Sequence, residues 1–252
     1  MTPASGSDRA GEESPRPGRV RRVVTARAGG VSVGPYASFN LGDHVGDDPE
    51  AVRRNRVRLA EQIGLEPDHV IWLEQIHSRT IAYADGPRAE RIEATDGVVT
   101  DKPGLALAVL SADCVPVLLS DDEAGVIAAV HAGRVGARIG IVPAALDEMV
   151  KRGARLGRIG AFLGPAASGR QYEVPAGMRA DVEKHLPGSA TTTAKGTPGL
   201  DLRAGIRRQL LEAGVAAVAE DPRCTIEDQA LFSHRRGAPT GRLASVIWID
   251  NT

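Results

Sequence analysis

The sequence predicts a single α+β domain. Three observations carry that expectation. Short runs rich in Val, Ile, Leu and Ala, bounded by Gly, Asp or Ser, read as buried strands. They interleave irregularly with a few well-capped helices, which favours α+β over a regular strand–helix alternation. No repeat and no linker divides the 252 residues, 42% of them hydrophobic, so the chain can bury a substantial core in one unit.

In chain order, residues 1–22 carry Pro, Gly, Ser and charge without apolar periodicity. They are expected to form a disordered tail, with the folded domain spanning 23–252. Arg27 to Ser32 and Ser38 to Gly42 form a turn-rich segment in which glycines serve tight turns or let backbone approach a ligand. Asp48 and Pro49 start a helix as N-cap and first helical residue; Val52, Leu59, Ala60 and Ile63 give it an apolar face, and Gly64 closes it. Val70–Leu73 then leads through Gln75 and Ile76 to His77, read as a strand with a polar tip. Three apolar runs follow, Leu105–Leu110, Val115–Leu119 and Val126–Val130. A helix is expected at Val142–Lys151, a strand at Ile159–Leu163, and a second helix at Asp201–Ala213, with Leu202, Ile206 and Leu210 four apart. Glu183–Leu200 is poorly patterned and reads as a surface excursion; Ala244–Ile249 reads as the last strand.

Charge and cysteine usage narrow the function classes. A net charge of −1 supplies no field toward nucleic acid or an anionic membrane, and neither is expected as a partner. Two cysteines are too few for a disulfide framework and suit a reducing compartment. No apolar run approaches membrane-spanning length and no signal-peptide pattern opens the chain, so a cytoplasmic protein, favoured as a monomer, is expected.

The chemistry gathers at the seams of the apolar runs. Cys114 enters the second run and His131 ends the third, so neighbouring strands can turn both toward one point. His77, just beyond another apolar run, is the best third partner. Two imidazoles and a thiolate suit Zn²⁺, and three protein ligands leave a fourth position open, as catalytic zinc sites do. Such a site makes hydroxide available near neutral pH. The same residues also read as a Cys114 nucleophile with His131 as base, or as a buried thiol beside a hydrogen-bonded imidazole. Spacing does not separate these readings. No Walker loop, dinucleotide fingerprint, H-E-x-x-H or C-x-x-C occurs.

The string Ser111-Ala112-Asp113-Cys114-Val115-Pro116, followed by Val130-His131-Ala132-Gly133 with Gln75-Ile76-His77 upstream, resembles the YfiH family, also called the laccase-domain or polyphenol-oxidase-like family. Matching segments run along nearly the whole chain after the tail: Arg27 to Ser32, Phe39 to Gly42, Asn55-Arg56, Thr95-Asp96-Gly97, Gly164-Pro165, Tyr172 to Val174, Phe232 to Arg236, and Gly241-Arg242. The resemblance implies layered mixed β-sheets flanked by helices and a zinc held by His77, Cys114 and His131. It further implies a purine nucleoside phosphorylase that converts adenosine, inosine, guanosine or methylthioadenosine plus phosphate to base and pentose 1-phosphate, with adenosine deaminase activity. Asp113 is then a candidate proton carrier, or support beside a ligand. Arg27, Arg235 and Arg236 are candidates for phosphate, which guanidinium forks suit, and Asn40 for the ribose or the purine edge. Two other activities attach to the family, peptidoglycan editing on a wall-precursor peptide or its amino-acid ligation product, and copper-dependent phenol oxidation. One His₂Cys site is a poor basis for a multicopper relay. This chain also departs from the family pattern: Arg134 stands where a Trp is common, His234 replaces a Tyr, and Ser168 to Gln171 lacks cysteines often found there.

Overall fold

A computed structural model describes residues 18–250; the expected tail at 1–17 lies outside the described residues. The first strand, β1 (Val20–Val24), begins before the expected start of the domain, because Val20, Arg21 and Arg22 pair antiparallel with Ile249, Trp248 and Ile247. After it come α1 (Pro49–Ile63), β2 (Val70–Ile71), β3 (Ile81–Tyr83), β4 (Gly97–Thr100), β5 (Ala106–Ser111), β6 (Val115–Asp121) and β7 (Val126–Ala132). The second half contains α2 (Arg134–Arg138), α3 (Ile141–Lys151), β8 (Gly160–Leu163), α4 (Ala176–His185), β9 (Ala190–Thr192), β10 (Pro198–Leu200), α5 (Leu202–Glu212), β11 (Ala217–Glu220) and β12 (Leu243–Ile249).

Two mixed sheets stack face to face. One has the order β1-β12-β5-β2 and the other β11-β8-β6-β7-β4-β3, with β9 and β10 as a separate hairpin. The pleat alternation of β5 explains the layering. Ala106, Ala108 and Leu110 turn outward to pack with Leu59 and Ala60 of α1, whereas Leu107 and Val109 turn inward against Leu118, Ile127 and Ala129 of the second sheet. The outer face of that second sheet, Val117, Leu119, Val126, Ala128 and Val130, is covered by Ile141, Val142, Ala145 and Met149 of α3 and by Ile206 and Leu210 of α5. The order is helix, sheet, sheet, helix, as the resemblance implies.

The capping residues act as their types dictate. Asp48 accepts a hydrogen bond from Glu50 N at the start of α1, and Gly64 closes that helix at φ 75°, in the left-handed region that glycine adopts without a Cβ penalty. Asp201 caps α5 by accepting from Ala204 N. Two expectations are corrected. Residues 183–200 are not a loose excursion: the stretch completes α4 and forms the β9–β10 hairpin, burying Leu186 and Leu200 completely. Residues 70–77 are not one strand, since the β2 ladder ends at Ile71, Leu73 makes only an isolated bridge to Ile92, and His77 sits in a bend at φ 63°.

Candidate active site

Cys114 and His131 are brought together by β6 and β7, which pair antiparallel with Val115 opposite Ala132 and Pro116 opposite His131. Cys114, one residue before β6, therefore stands beside the end of β7. His77 reaches the same point from its bend. Its Nε2 lies 3.9 Å from Cys114 Sγ, and its ring meets that of His131 edge to face at 4.9 Å between centroids. One nitrogen from each histidine and the sulfur all lie within 4.8 Å of one another. A tetrahedral zinc would hold such atoms about 3.5 Å apart, so small side-chain adjustments close the site. Gly133 supplies the space. A Cβ there would stand 2.8 Å from His77 Cδ2 and 2.9 Å from Cys114 Sγ. The donor set and this cradle fit a metal ion held by His77, Cys114 and His131.

Asp96, to which no local pattern gives a role, assembles this centre. It is fully buried, and its carboxylate accepts from the backbone N–H groups of Ile76 (3.1 Å), His77 (2.9 Å) and Ser78, shaping the bend that aims His77. Its Oδ1 also lies 2.8 Å from His131 Nδ1, which leaves Nε2 for the metal position. Burial pushes the Asp96 carboxyl up, but His131 and the Ser78 contacts outweigh it and hold it at about 2.

Burial likewise pushes the Cys114 thiol up, and His131 and then His77 overcome it, lowering the thiol to about 6. The thiolate a metal needs is thus present near neutral pH. In metal-free protein, alkylation of Cys114 by iodoacetamide is expected to rise through a midpoint near 6. An ordinary thiol turns over near pH 8.5. Because the folded value is lowered, the thiolate persists above pH 6 and is lost below it. A midpoint in the ordinary range would show that the histidines do not act on the sulfur.

The cluster lies at a cavity of about 380 Å³, whose lining includes His44, Gln75, Asp113, Arg134, Tyr172, Leu202, His234, Arg235 and Arg242. Gln75 is fixed by a two-way bond to Leu110, donating to its carbonyl (2.8 Å) and accepting from its N–H (2.7 Å). Arg235 stacks on the Tyr172 ring at 4.9 Å. Arg242 enters from the loop before β12 and is anchored to the carbonyls of Thr240 and Gly241. Three guanidiniums and one carboxylate make the wall cationic.

The structure separates the residues expected to bind substrate. Arg235 lines the cavity; Arg27, Asn40 and Arg236 do not. Arg27 donates to Ala37 O (2.6 Å) and lies over the Phe232 ring at 5.3 Å. Arg236 spends its guanidinium on the carbonyls of Thr225 (2.7 Å), Asp228 (2.9 Å) and Leu231, which clamps the loop beneath it. Asn40 is fully buried and satisfied within the fold: Oδ1 accepts from the N–H groups of Gly42 (3.0 Å) and Arg242 (2.8 Å), while Nδ2 donates to Gly42 O and Asp47. It shapes the 40–47 loop and docks Arg242. Asp113, at φ 98°, accepts from Thr225 Oγ1 (2.6 Å) and Ser233 Oγ (2.7 Å) on one oxygen and from Arg235 N (2.7 Å) on the other. That carboxylate ties the Arg235 loop beside Cys114.

The family model described as multi-copper polyphenol oxidoreductase laccase matches residues 21–250. The chain belongs to this family, the YfiH or laccase-domain family. A purine nucleoside phosphorylase of Corynebacterium glutamicum is 61% identical to it over 237 residues, covering 93% of this chain and 96% of that one. One of Mycobacterium tuberculosis is 59% identical over 232 residues, covering 92% and 93%. Among solved structures, YlmD from Geobacillus stearothermophilus superposes with a TM-score of 0.86 at 32% identity, over 94% of each chain. The YfiH-family fold agrees with the layered α+β architecture, and no helix among the described residues is long and apolar enough to cross a membrane.

Proposed function

We propose that this YfiH-family protein is a zinc-dependent purine nucleoside phosphorylase, acting on adenosine, inosine, guanosine or methylthioadenosine, with adenosine deamination as a second activity of the same cavity. The observation that carries the reading is the His77, Cys114 and His131 cluster beside a cationic cavity, in a chain about 60% identical to proteins named for that activity. Zinc, when bound there, supplies Lewis-acid chemistry. The chain's own residues supply the rest. Arg235, lying over the Tyr172 ring at 4.9 Å, presents its fork to phosphate, and Arg242 faces the same space. Asp113 is read as a positioning residue, because both of its oxygens hold the loop that carries Arg235. Leu110, Ala167 and Leu202 give the uncharged purine and ribose an apolar wall.

Phosphorolysis needs phosphate beside the ribose, whereas deamination needs only nucleoside and water. Arg235→Ala removes a charge-assisted contact and is expected to raise the phosphate requirement about 10- to 100-fold, the equivalent of roughly 1.5–3 kcal/mol. Adenosine-to-inosine conversion should fall much less. Parallel assays of base and ammonia release across a phosphate titration check this. Equal loss of both would place Arg235 on the nucleoside or in the fold. Copper-dependent phenol oxidation is less well supported, since one cluster arranged to hold a metal occurs among the described residues. Peptidoglycan editing has no feature of the cavity in its favour.

A further inference from the structure

Breaking the bond between a purine and its sugar requires a proton for the departing base. The cavity's carboxylate, its arginines and the metal-cluster histidines do not provide it. Asp113 accepts three hydrogen bonds as a carboxylate, arginines stay protonated, and His77 and His131 belong to the metal cluster. Two further imidazoles line the cavity, His44 and His234. They differ in what stands behind them. His44 Nδ1 lies 3.5 Å from Asp43 Oδ1, whereas His234 has no ion pair among the described residues.

The support behind His44 is built in. Asp43 pairs with Arg56 (3.3 Å) and Arg91 (3.1 Å), and Arg91 continues to Glu74 (3.3 Å). Arg56 is itself fixed, lying 4.3 Å over the Trp72 ring and donating to Leu41 O. The His44 contact, with Arg56 and Arg91 behind it, holds the Asp43 carboxyl well below the usual range despite partial burial, so it stays anionic. The buried Asn40 side chain bonds Gly42 and Asp47, fixing the loop that presents both residues. With Nδ1 turned to Asp43, Nε2 is the nitrogen left for the cavity. An imidazole oriented by a carboxylate, with its far nitrogen toward substrate, is the arrangement of a general acid or base, and such contacts tighten when substrate binds.

We propose that His44, oriented by Asp43, is a catalytic residue that delivers a proton to the leaving purine. This rests on the phosphorylase reading above. In the step, the C1′–N9 bond breaks with its electron pair passing to the purine, and a phosphate oxygen bonds to C1′. The His44 imidazolium gives its Nε2 proton to the purine. The proton released as hydrogen phosphate becomes the sugar ester restores the imidazolium, so nucleoside and hydrogen phosphate become base and pentose 1-phosphate.

The test uses two nucleosides with the zinc-loaded protein. Inosine needs its base protonated; 7-methylinosine already carries a positive charge on the base and leaves without that proton. His44→Gln is expected to lower kcat on inosine about 100-fold. On 7-methylinosine it should lose no more than a few-fold, which also reports that the variant is folded. Asp43→Asn should show the same selectivity in weaker form. Equal loss on both nucleosides, no loss on either, or the selective loss appearing in His234→Ala instead would overturn the assignment while leaving the phosphorylase reading intact. Absence of base release from either nucleoside by the wild-type protein would overturn that reading, and this one with it.

Discussion

Cys114→Ala is expected to lose its bound zinc and all turnover. The sulfur supplies the charge and the soft character of a three-ligand set, and two imidazoles alone hold zinc weakly. Nothing nearby replaces it. Asp96 is buried and committed to three backbone N–H groups and His131, and Asp113 to Thr225, Ser233 and Arg235. Folding should survive, because the thiol is partly exposed at a cavity and the strands it joins are held by their own ladder. Cys224→Ala is the matched control. Cys224 is buried away from the cavity, near the Ser168 backbone N–H at 3.4 Å, and its loss should leave metal content unchanged. Elemental analysis of the two variants decides the matter. Full zinc occupancy in Cys114→Ala would show that the ligand assignment is wrong.

Asp96→Ala should be the most destabilising single change near the site. Four donors converge on this fully buried carboxylate, and removing it leaves three backbone N–H groups and an imidazole without their partner. Breaking a buried charged network of this kind costs about 3–5 kcal/mol. Where the variant still folds, the His77 bend and the His131 ring lose their orientation, and zinc affinity should fall about 10- to 100-fold. Asp96→Asn should lie between the two, since an amide keeps one acceptor oxygen but turns a donor toward donors. Urea unfolding with a competitive zinc titration measures both effects. Wild-type stability in Asp96→Ala would mean that the 76–78 bend is held by something else.

What the sequence disclosed was whatever local pattern encodes. The caps of α1 and α5 were legible because Asp48-Pro49, Gly64 and Asp201 act on residues within one turn. The clustering of His77, Cys114 and His131 was legible because soft ligands at the ends of apolar runs are conspicuous. Helix α4 was not, since it buries only Val182 and so shows no apolar period. Neither was the role of Asp96 or His44. Each depends on partners set by the fold: Asp96 meets residues 18 to 20 positions away and His131 35 away, and Asp43 behind His44 meets Arg91 48 away. The arginines expose the same limit. Arg235 and Arg236 are neighbours of identical chemistry, yet one faces the cavity and the other clamps backbone carbonyls. Asn40 and Arg27, flanked by glycine-rich loops, read as binders, whereas in the fold their side chains bond within those loops and do not line the cavity.

The most direct measurement is of products. Zinc-loaded protein is incubated with adenosine, with and without phosphate, and the base, the sugar product and ammonia are quantified together. Purine base (adenine plus any hypoxanthine formed by way of inosine) and ribose 1-phosphate are expected in equal amounts only when phosphate is present, and ammonia with or without phosphate, all lost on chelation of the metal and restored by zinc. Zinc-replete protein that releases no base, or base release indifferent to both phosphate and metal, would contradict the proposed function.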